Sequence, residues 1–379
     1  MHTNNNQRTF FELVSAGLFP VNGERFTVNG SVDWDVVYQM AEEQSVVGLV
    51  AAGIDSFKIK DSSFKCPQEW ALQFIGATLQ IEQRNKAMNA FIADLISKMR
   101  KAGIYTLLLK GQGVAQCYEK PTWRACGDVD LFLGDDNYEK AKAFLIPLAS
   151  SVEEEYEREK HLGMTIDGWV VELHGRLYSG LSSRIERELD RVYHDTFFGG
   201  TVRSWNCVGV QVFLLKEEND VFYVFTHILQ HFYKEGVGLR QICDWSRLLW
   251  TYRDKLDLKL LESHLRKAGL MSEWKAFYML AIKYLGMPDV VQGSGLTVQG
   301  SKWERKADRI MKFILMSGNM GHNREKSYST YPYLVRKCFS AGRRLGDLFN
   351  HAMIFPMDSL RFSFTIMKNG VSSAIKGEG

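Results

Sequence analysis

Asp128 and Asp130 stand two residues apart in the segment GDVDLFL. On a strand, that spacing puts both carboxylates on one face and Val129, Leu131 and Leu133 on the other. Paired carboxylates above an apolar face are a donor set for a hard cation such as Mg²⁺, whose remaining positions substrate phosphates can fill. Just upstream, LLLKGQG places Gly111 and Gly113 after a short apolar run, at the start of a short helix where exposed N–H groups favour anions. Lys110 and Arg124 are cations close by, and arginine can grip phosphate oxygens with two parallel bonds. Downstream, Asp167-Gly168 between two alternating segments signals a hairpin. In its second arm Val170, Glu172 and His174 share a face, so Glu172 is a third carboxylate on a strand that can lie beside the aspartates. The chemistry this set fits is metal-assisted nucleotidyl transfer, in which two ions about 3.5–4 Å apart clamp the attacking and leaving oxygens at phosphorus.

Other residues compete for attention. His174 could touch substrate or act as a base near neutral pH, although a structural hydrogen bond is an equal reading; His161 is a weaker candidate. His227 and His231 lie four apart on one helix face, which is metal-ligand spacing. Phe225, Ile228 and Phe232 surround them and no HExxH glutamate intervenes, so packing or hydrogen bonding, including with Asp244, is favoured over a His/Asp metal hydrolase. Cys117 and Cys126 flank the basic loop without a histidine partner and read as core or loop residues.

These residues need elements to hold them. The 379-residue chain is long enough for two or three domains, and its 45% hydrophobic and 24% charged content is ordinary for a soluble globular protein. A net charge of +3 and a pI near 8.4 are too mild to argue for nucleic acid. Six scattered cysteines suggest a reducing compartment. The polar start MHTNNNQRTF and the lack of a bilayer-length apolar run lead us to expect a cytoplasmic protein with no membrane partner.

The pattern divides into a helical region over 1–102, a core over 103–215 and a helical region over 216–379. Residues 1–32 read as polar and Asn/Gly-rich apart from a short apolar piece at Phe10 to Phe19. Helical spacing begins after Asp33, a polar connector runs from Lys58 to Pro67, and the clearest helix covers about 69–102, closed by Gly103. The core reads as a strand at Ile104 to Leu109, a short helix from Gly111 to about Tyr118, the aspartate strand Asp128 to Leu133, a helix over Tyr138 to Leu148, the hairpin, and a last strand with a crossover over 197–215. Beyond Asn219 the spacing is helical almost to the end, with Arg336, Lys337, Arg343 and Arg344 on a solvated face and the last ten or so residues frayed. The expected fold class is α+β: a small mixed β-sheet flanked by N-terminal and C-terminal helical regions.

Strand, glycine turn, helix, then D-x-D on the next strand and a later acid: this order resembles the DNA polymerase β-like nucleotidyltransferase superfamily. More narrowly LLLKG, the Tyr118 and Arg124 positions, GDVDLFL, VELHGRL and the flanking HILQHF…GLRQICDW resemble the bacterial family of uncharacterised nucleotidyltransferases, over about residues 34–250. The resemblance implies that Asp128 and Asp130 hold the metal, that Glu172 completes the site or accepts the acceptor hydroxyl's proton, and that Gly111 hugs the phosphates. It implies two Mg²⁺ ions, a nucleoside triphosphate substrate and an acceptor hydroxyl on a small molecule or macromolecule. Gln112 stands where the superfamily carries serine, so Lys110 or Gln112 would replace the hydroxyl contact. A non-catalytic nucleotide-binding or regulatory module and a purely structural interaction protein are the other readings.

Overall fold

The computed structural model describes residues 5–19, 30–60, 64–318 and 346–365. The basic group Arg336, Lys337, Arg343 and Arg344, parts of the 1–32 and Lys58-to-Pro67 segments, and the chain end expected to fray lie outside the described residues.

Four helices precede the sheet: α1 (Asn5–Leu18), α2 (Trp34–Glu43), α3 (Val47–Lys60) and α4 (Gln68–Lys101). Asp33 caps α2 by accepting from the Asp35 and Val36 N–H groups, as Asp at this position should. Gly103, at φ +75°, takes the left-handed conformation that follows the end of α4. The helix α1 extends beyond the short apolar piece that the sequence shows, and its Asn-rich start hides the spacing of Phe10, Phe11, Leu13, Val14 and Leu18, all buried. It crosses α3 closely enough that a Cβ on Gly53 would lie 2.0 Å from the Leu13 carbonyl oxygen.

The sheet is mixed, with seven strands: β1 (Leu107–Leu109), β2 (Asp128–Phe132), β3 (Ser151–Val152), β4 (His161–Ile166), β5 (Trp169–His174), β6 (Val202–Cys207) and β7 (Val210–Leu215), in the order β3-β4-β5-β2-β1-β7-β6. β2 runs antiparallel to β1 and parallel to β5, and β1 is parallel to β7. The Asp167-Gly168 turn joins β4 to β5 with φ of +50° and +79°, as a two-residue hairpin requires. Where a last strand and a crossover were expected, over 197–215, the chain forms the β6–β7 hairpin instead. Its turn, Val208-Gly209, carries no Asn-Gly or Asp-Gly signature, which is why it was not legible.

Between and after the strands lie α5 (Gly111–Ala115), α6 (Asp135–Leu145), α7 (Ser183–Phe198), α8 (Glu217–Lys234), α9 (Leu239–Tyr252), α10 (Leu258–Ala268), α11 (Met271–Leu285) and α12 (Ser301–Ser317). Strand alternation gives the sheet two differently covered faces. Val129, Leu131, Leu133, Val171 and Leu173 pack with Met88, Ile92 and Leu95 of α4 and with Tyr138 of α6. Leu107, Leu109 and Phe132 join a larger core with Phe225 and Ile228 of α8 and Ile242 and Trp245 of α9. Asp128 and Asp130 alternate with Val129 and Leu131, so they face α8 and α9. Among the described residues no helix is long and apolar enough to cross a membrane.

Candidate active site

The parallel pairing of β2 with β5 sets Asp130 beside Glu172 and Phe132 beside His174. Antiparallel pairing of β4 with β5 then sets His161 opposite His174. Register alone therefore brings one aspartate, one glutamate and two histidines to adjacent positions on a single face. Their side chains join in a line. Lys110 Nζ lies 3.1 Å from Asp130 Oδ1, and His174 Nε2 lies 2.8 Å from the same oxygen. His174 Nε2 is also 3.5 Å from Glu172 Oε2, and His161 Nε2 is 3.1 Å from that oxygen. The two imidazoles stack with centroids 4.8 Å apart.

Lys110 reaches this cluster through an uncommon backbone. Its φ is +46° with ψ −139°, and Gly111 follows at φ +41°. A non-glycine residue there stores strain of about 1–3 kcal/mol, which the surrounding structure must offset. The turn directs the Lys110 ammonium at the carboxylates while the chain enters α5. Gly111 is needed both for its φ and for space, because a Cβ would lie 3.2 Å from Cys126 Sγ.

The electrostatics follow from this crowding. Burial would lower the Lys110 pKa, but Asp130, with smaller contributions from Tyr223, Asp128 and Glu172, more than offsets it, so the ammonium stays charged. Burial would raise Glu172, yet hydrogen bonds from His161 and His174 and the charge of Lys110 hold it far below the ordinary carboxylate range. His174 is raised despite burial, through its contacts with Asp130 and Glu172. Asp128 goes the other way: the negative charge of Asp130, then burial, push it up. The Asp128 carboxylate makes no hydrogen bond or ion pair among the described residues.

Asp128 and Asp130 border a cavity of about 50 Å³ closed on the helical side by Val224, His227 and Ile228 of α8 and by Arg240 and Asp244 of α9. That is room for an ion with a water or two. Arg124 also lines it, but its guanidinium is already engaged: Nε and Nη2 donate to the two Asp244 oxygens at 2.9 and 2.6 Å. Tyr118 Oη donates to Asp244 as well, at 2.7 Å. Of the Arg124 guanidinium, Nη1 is buried without a partner, as is Nε of Arg240. Gln112 does not line this cavity, and its side-chain amide donates to Asn85 of α4 at 2.7 Å.

A family model for uncharacterised nucleotidyltransferases matches residues 30–286, which takes in α2 to α11 and every strand named above. The chain belongs to that family. No curated protein and no solved structure gives a significant match. In this nucleotidyltransferase family member, one cation at the cavity went unnoticed in the sequence: Arg240, whose Nη1 donates to the Ala125 carbonyl at 2.8 Å and whose charge acts on Asp128. Its signal was present as the four-residue spacing to Asp244 on one face of α9. His227 and His231 pair with each other, Nε2 to Nε2 at 3.0 Å, and His231 with Glu235. Asp244 is occupied by Arg124 and Tyr118, so the suggested link from the histidines to Asp244 does not form. Among the described residues the one group of three or more His, Cys, Asp and Glu close enough to share an ion is His161, Glu172 and His174.

Proposed function

We propose that this protein transfers a nucleoside monophosphate from a Mg²⁺-bound nucleoside triphosphate to an acceptor hydroxyl, releasing pyrophosphate. The observation that carries the reading is the placement of Asp128, Asp130 and Glu172 on one face of the adjacent strands β2 and β5, beside the strained Lys110-Gly111 turn. The residues fit a divalent cation: Asp128 is raised first by its neighbour's charge, more than Lys110 and Arg240 offset, and its carboxylate makes no hydrogen bond or ion pair among the described residues. Asp128, Asp130 and Glu172 are the residues that would hold Mg²⁺, which when bound neutralises and orients phosphate oxygens for in-line displacement.

The chain's own groups supply the rest. The first-turn N–H groups of α5 lack intrahelical partners and can donate to phosphate oxygens. Lys110 brings a fixed positive charge to the same place. Arg240 and the spare Nη1 of Arg124 supply further donors on the helical side. Of the two roles open to Glu172, holding metal is the better supported, because a carboxylate held so far below its usual pKa is a weak base. Positioning and charge neutralisation carry most of the rate.

A second reading, nucleotide binding without turnover, has one observation in its favour: Lys110 already places a cation against Asp130, where a metal ion would otherwise balance the charge. Calorimetry with the Mg²⁺ complexes of ATP, GTP, CTP and UTP, followed by a pyrophosphate-release assay, separates the two. Binding with release in the wild type and its loss in Asp128→Asn supports transfer. Binding without release, across a panel of hydroxyl acceptors, supports the module.

A further inference from the structure

We propose that His161, Glu172 and His174 form a transition-metal site, distinct in its ion preference from the aspartate pair and suited to Zn²⁺, Co²⁺ or Mn²⁺ rather than Mg²⁺. It uses Glu172, which the transfer reading also uses, but it rests on the geometry of β4 and β5 and not on turnover.

The ligand atoms of the three side chains all lie within 4.8 Å of one another. Their separations fit a single ion. A tetrahedral ion bound at about 2.0–2.1 Å keeps its ligand atoms about 3.3 Å apart. Here His161 Nε2 and His174 Nε2 lie 3.1 and 3.5 Å from Glu172 Oε2. Asp130 is outside the group: its Oδ1 holds His174 Nε2 at 2.8 Å and Lys110 Nζ at 3.1 Å, which leaves the fourth position of the ion to solvent. Two imidazoles and a carboxylate are a zinc-type donor set, whereas Mg²⁺ is an oxygen-seeking ion that keeps its waters.

Strand architecture holds the set in place. His161 opens β4 directly opposite His174 near the end of β5, and a tight turn, Tyr156 N–H to the His161 carbonyl at 2.9 Å, anchors it. Stacking of the two rings at 4.8 Å presents both Nε2 atoms to the same glutamate oxygen. His161 and Glu172 keep 24% and 28% of their side-chain surface exposed, so an ion reaches them without opening the core. His161 and His174 on one Glu172 oxygen bring two nitrogen donors beside a carboxylate, the ligand types of a two-histidine, one-carboxylate site. Binding uses each imidazole with its Nε2 deprotonated, so protons leave or move to Nδ1 as the ion enters.

The test is metal binding read directly. The full-length protein, stripped with chelator and dialysed, is titrated with Co²⁺ and with Zn²⁺. One equivalent should bind, with visible Co²⁺ absorption of the intensity that four-coordinate nitrogen-containing sites give. Removing a ligand should cost more than the tenfold to hundredfold typical of a supporting residue. His161→Ala should therefore bind Co²⁺ more than about a hundredfold more weakly, with its circular dichroism and melting curve confirming the fold. Should His161→Ala fail to fold, His161→Asn, which keeps a polar side chain at the strand end, takes its place and should show the same loss. No stoichiometric Co²⁺ or Zn²⁺ in the wild type, or equal binding in the His161 variant, overturns the site. Neither readout involves nucleotide, so a protein that binds Co²⁺ here yet releases no pyrophosphate defeats the transfer reading alone.

Discussion

Asp128 and Asp130 were indistinguishable as letters in D-x-D, and the structure gives them opposite energetic roles. Asp130 is buried and satisfies both Lys110 and His174. Asp128 has neither partner, and its pKa is raised first by the charge of Asp130 and then by burial. A carboxyl group raised on folding favours the native state below its unfolded pKa, and that contribution is lost as pH rises through the folded value. At neutral pH in chelator, ionised Asp128 therefore opposes folding. Asp128→Asn should melt at a higher temperature than wild type while pyrophosphate release falls at least about a hundredfold. Asp130→Asn should lose activity too, but also stability, by about 3–5 kcal/mol, because it leaves the Lys110 charge buried and unpaired. Differential scanning fluorimetry beside the activity assay checks both, and a lower melting temperature for Asp128→Asn would contradict the assignment.

Elements meet through a few specific links rather than through apolar contact alone. The loop between α5 and β2 is tied to α9 by the two-pronged Arg124–Asp244 pair, with Tyr118 on the same carboxylate. Asp244→Asn should lower stability by about 3–5 kcal/mol, seen as a lower urea midpoint, since it strands the guanidinium in the interior. Arg124→Lys keeps the charge but loses the planar fork, and should fall between that variant and wild type. The α1–α3 crossing is the other sensitive joint. Gly53→Ala puts a methyl against the Leu13 carbonyl, so it should cost about 1–3 kcal/mol by the same denaturation measurement, while binding of nucleotide is retained.

For the molecule as a whole, the clearest pH dependence lies far from the carboxylate cluster. Glu273 of α11 is fully buried, accepts from Tyr233 of α8 at 3.2 Å, and its pKa is pushed up to about 8 by burial and then by Asp358. Raised on folding, it stabilises the native state fully below the ordinary carboxylate pKa, and that contribution is lost as pH climbs toward about 8. Urea midpoints taken at pH 5, 7 and 9 should show wild type falling relative to Glu273→Gln, with the variant the more stable of the two at the highest pH. Parallel curves for the two proteins would mean that Glu273 is ionised throughout.

The sequence by itself determined what local chemistry determines. The Asp167-Gly168 hairpin was legible because its turn needs residues that tolerate positive φ. The D-x-D strand was legible because a period of two separates carboxylates from core residues, and α4 because its apolar stripe ends at Gly103. Where such signals were missing, as at Val208-Gly209 and in α1, the reading fell short. Tertiary structure decided the partners. Arg124 and Asp244 are 120 residues apart, and no spacing rule could have shown that Nε and Nη2 of that guanidinium are taken by Asp244. The side-chain amide of Gln112, which stands where the superfamily carries serine, is held by Asn85 of α4, a contact 27 residues away that no local pattern shows. His161 rose from a weak candidate to a neighbour of Glu172 through strand register alone, because pairing β4 with β5 and β5 with β2 converts three separate segments into one surface.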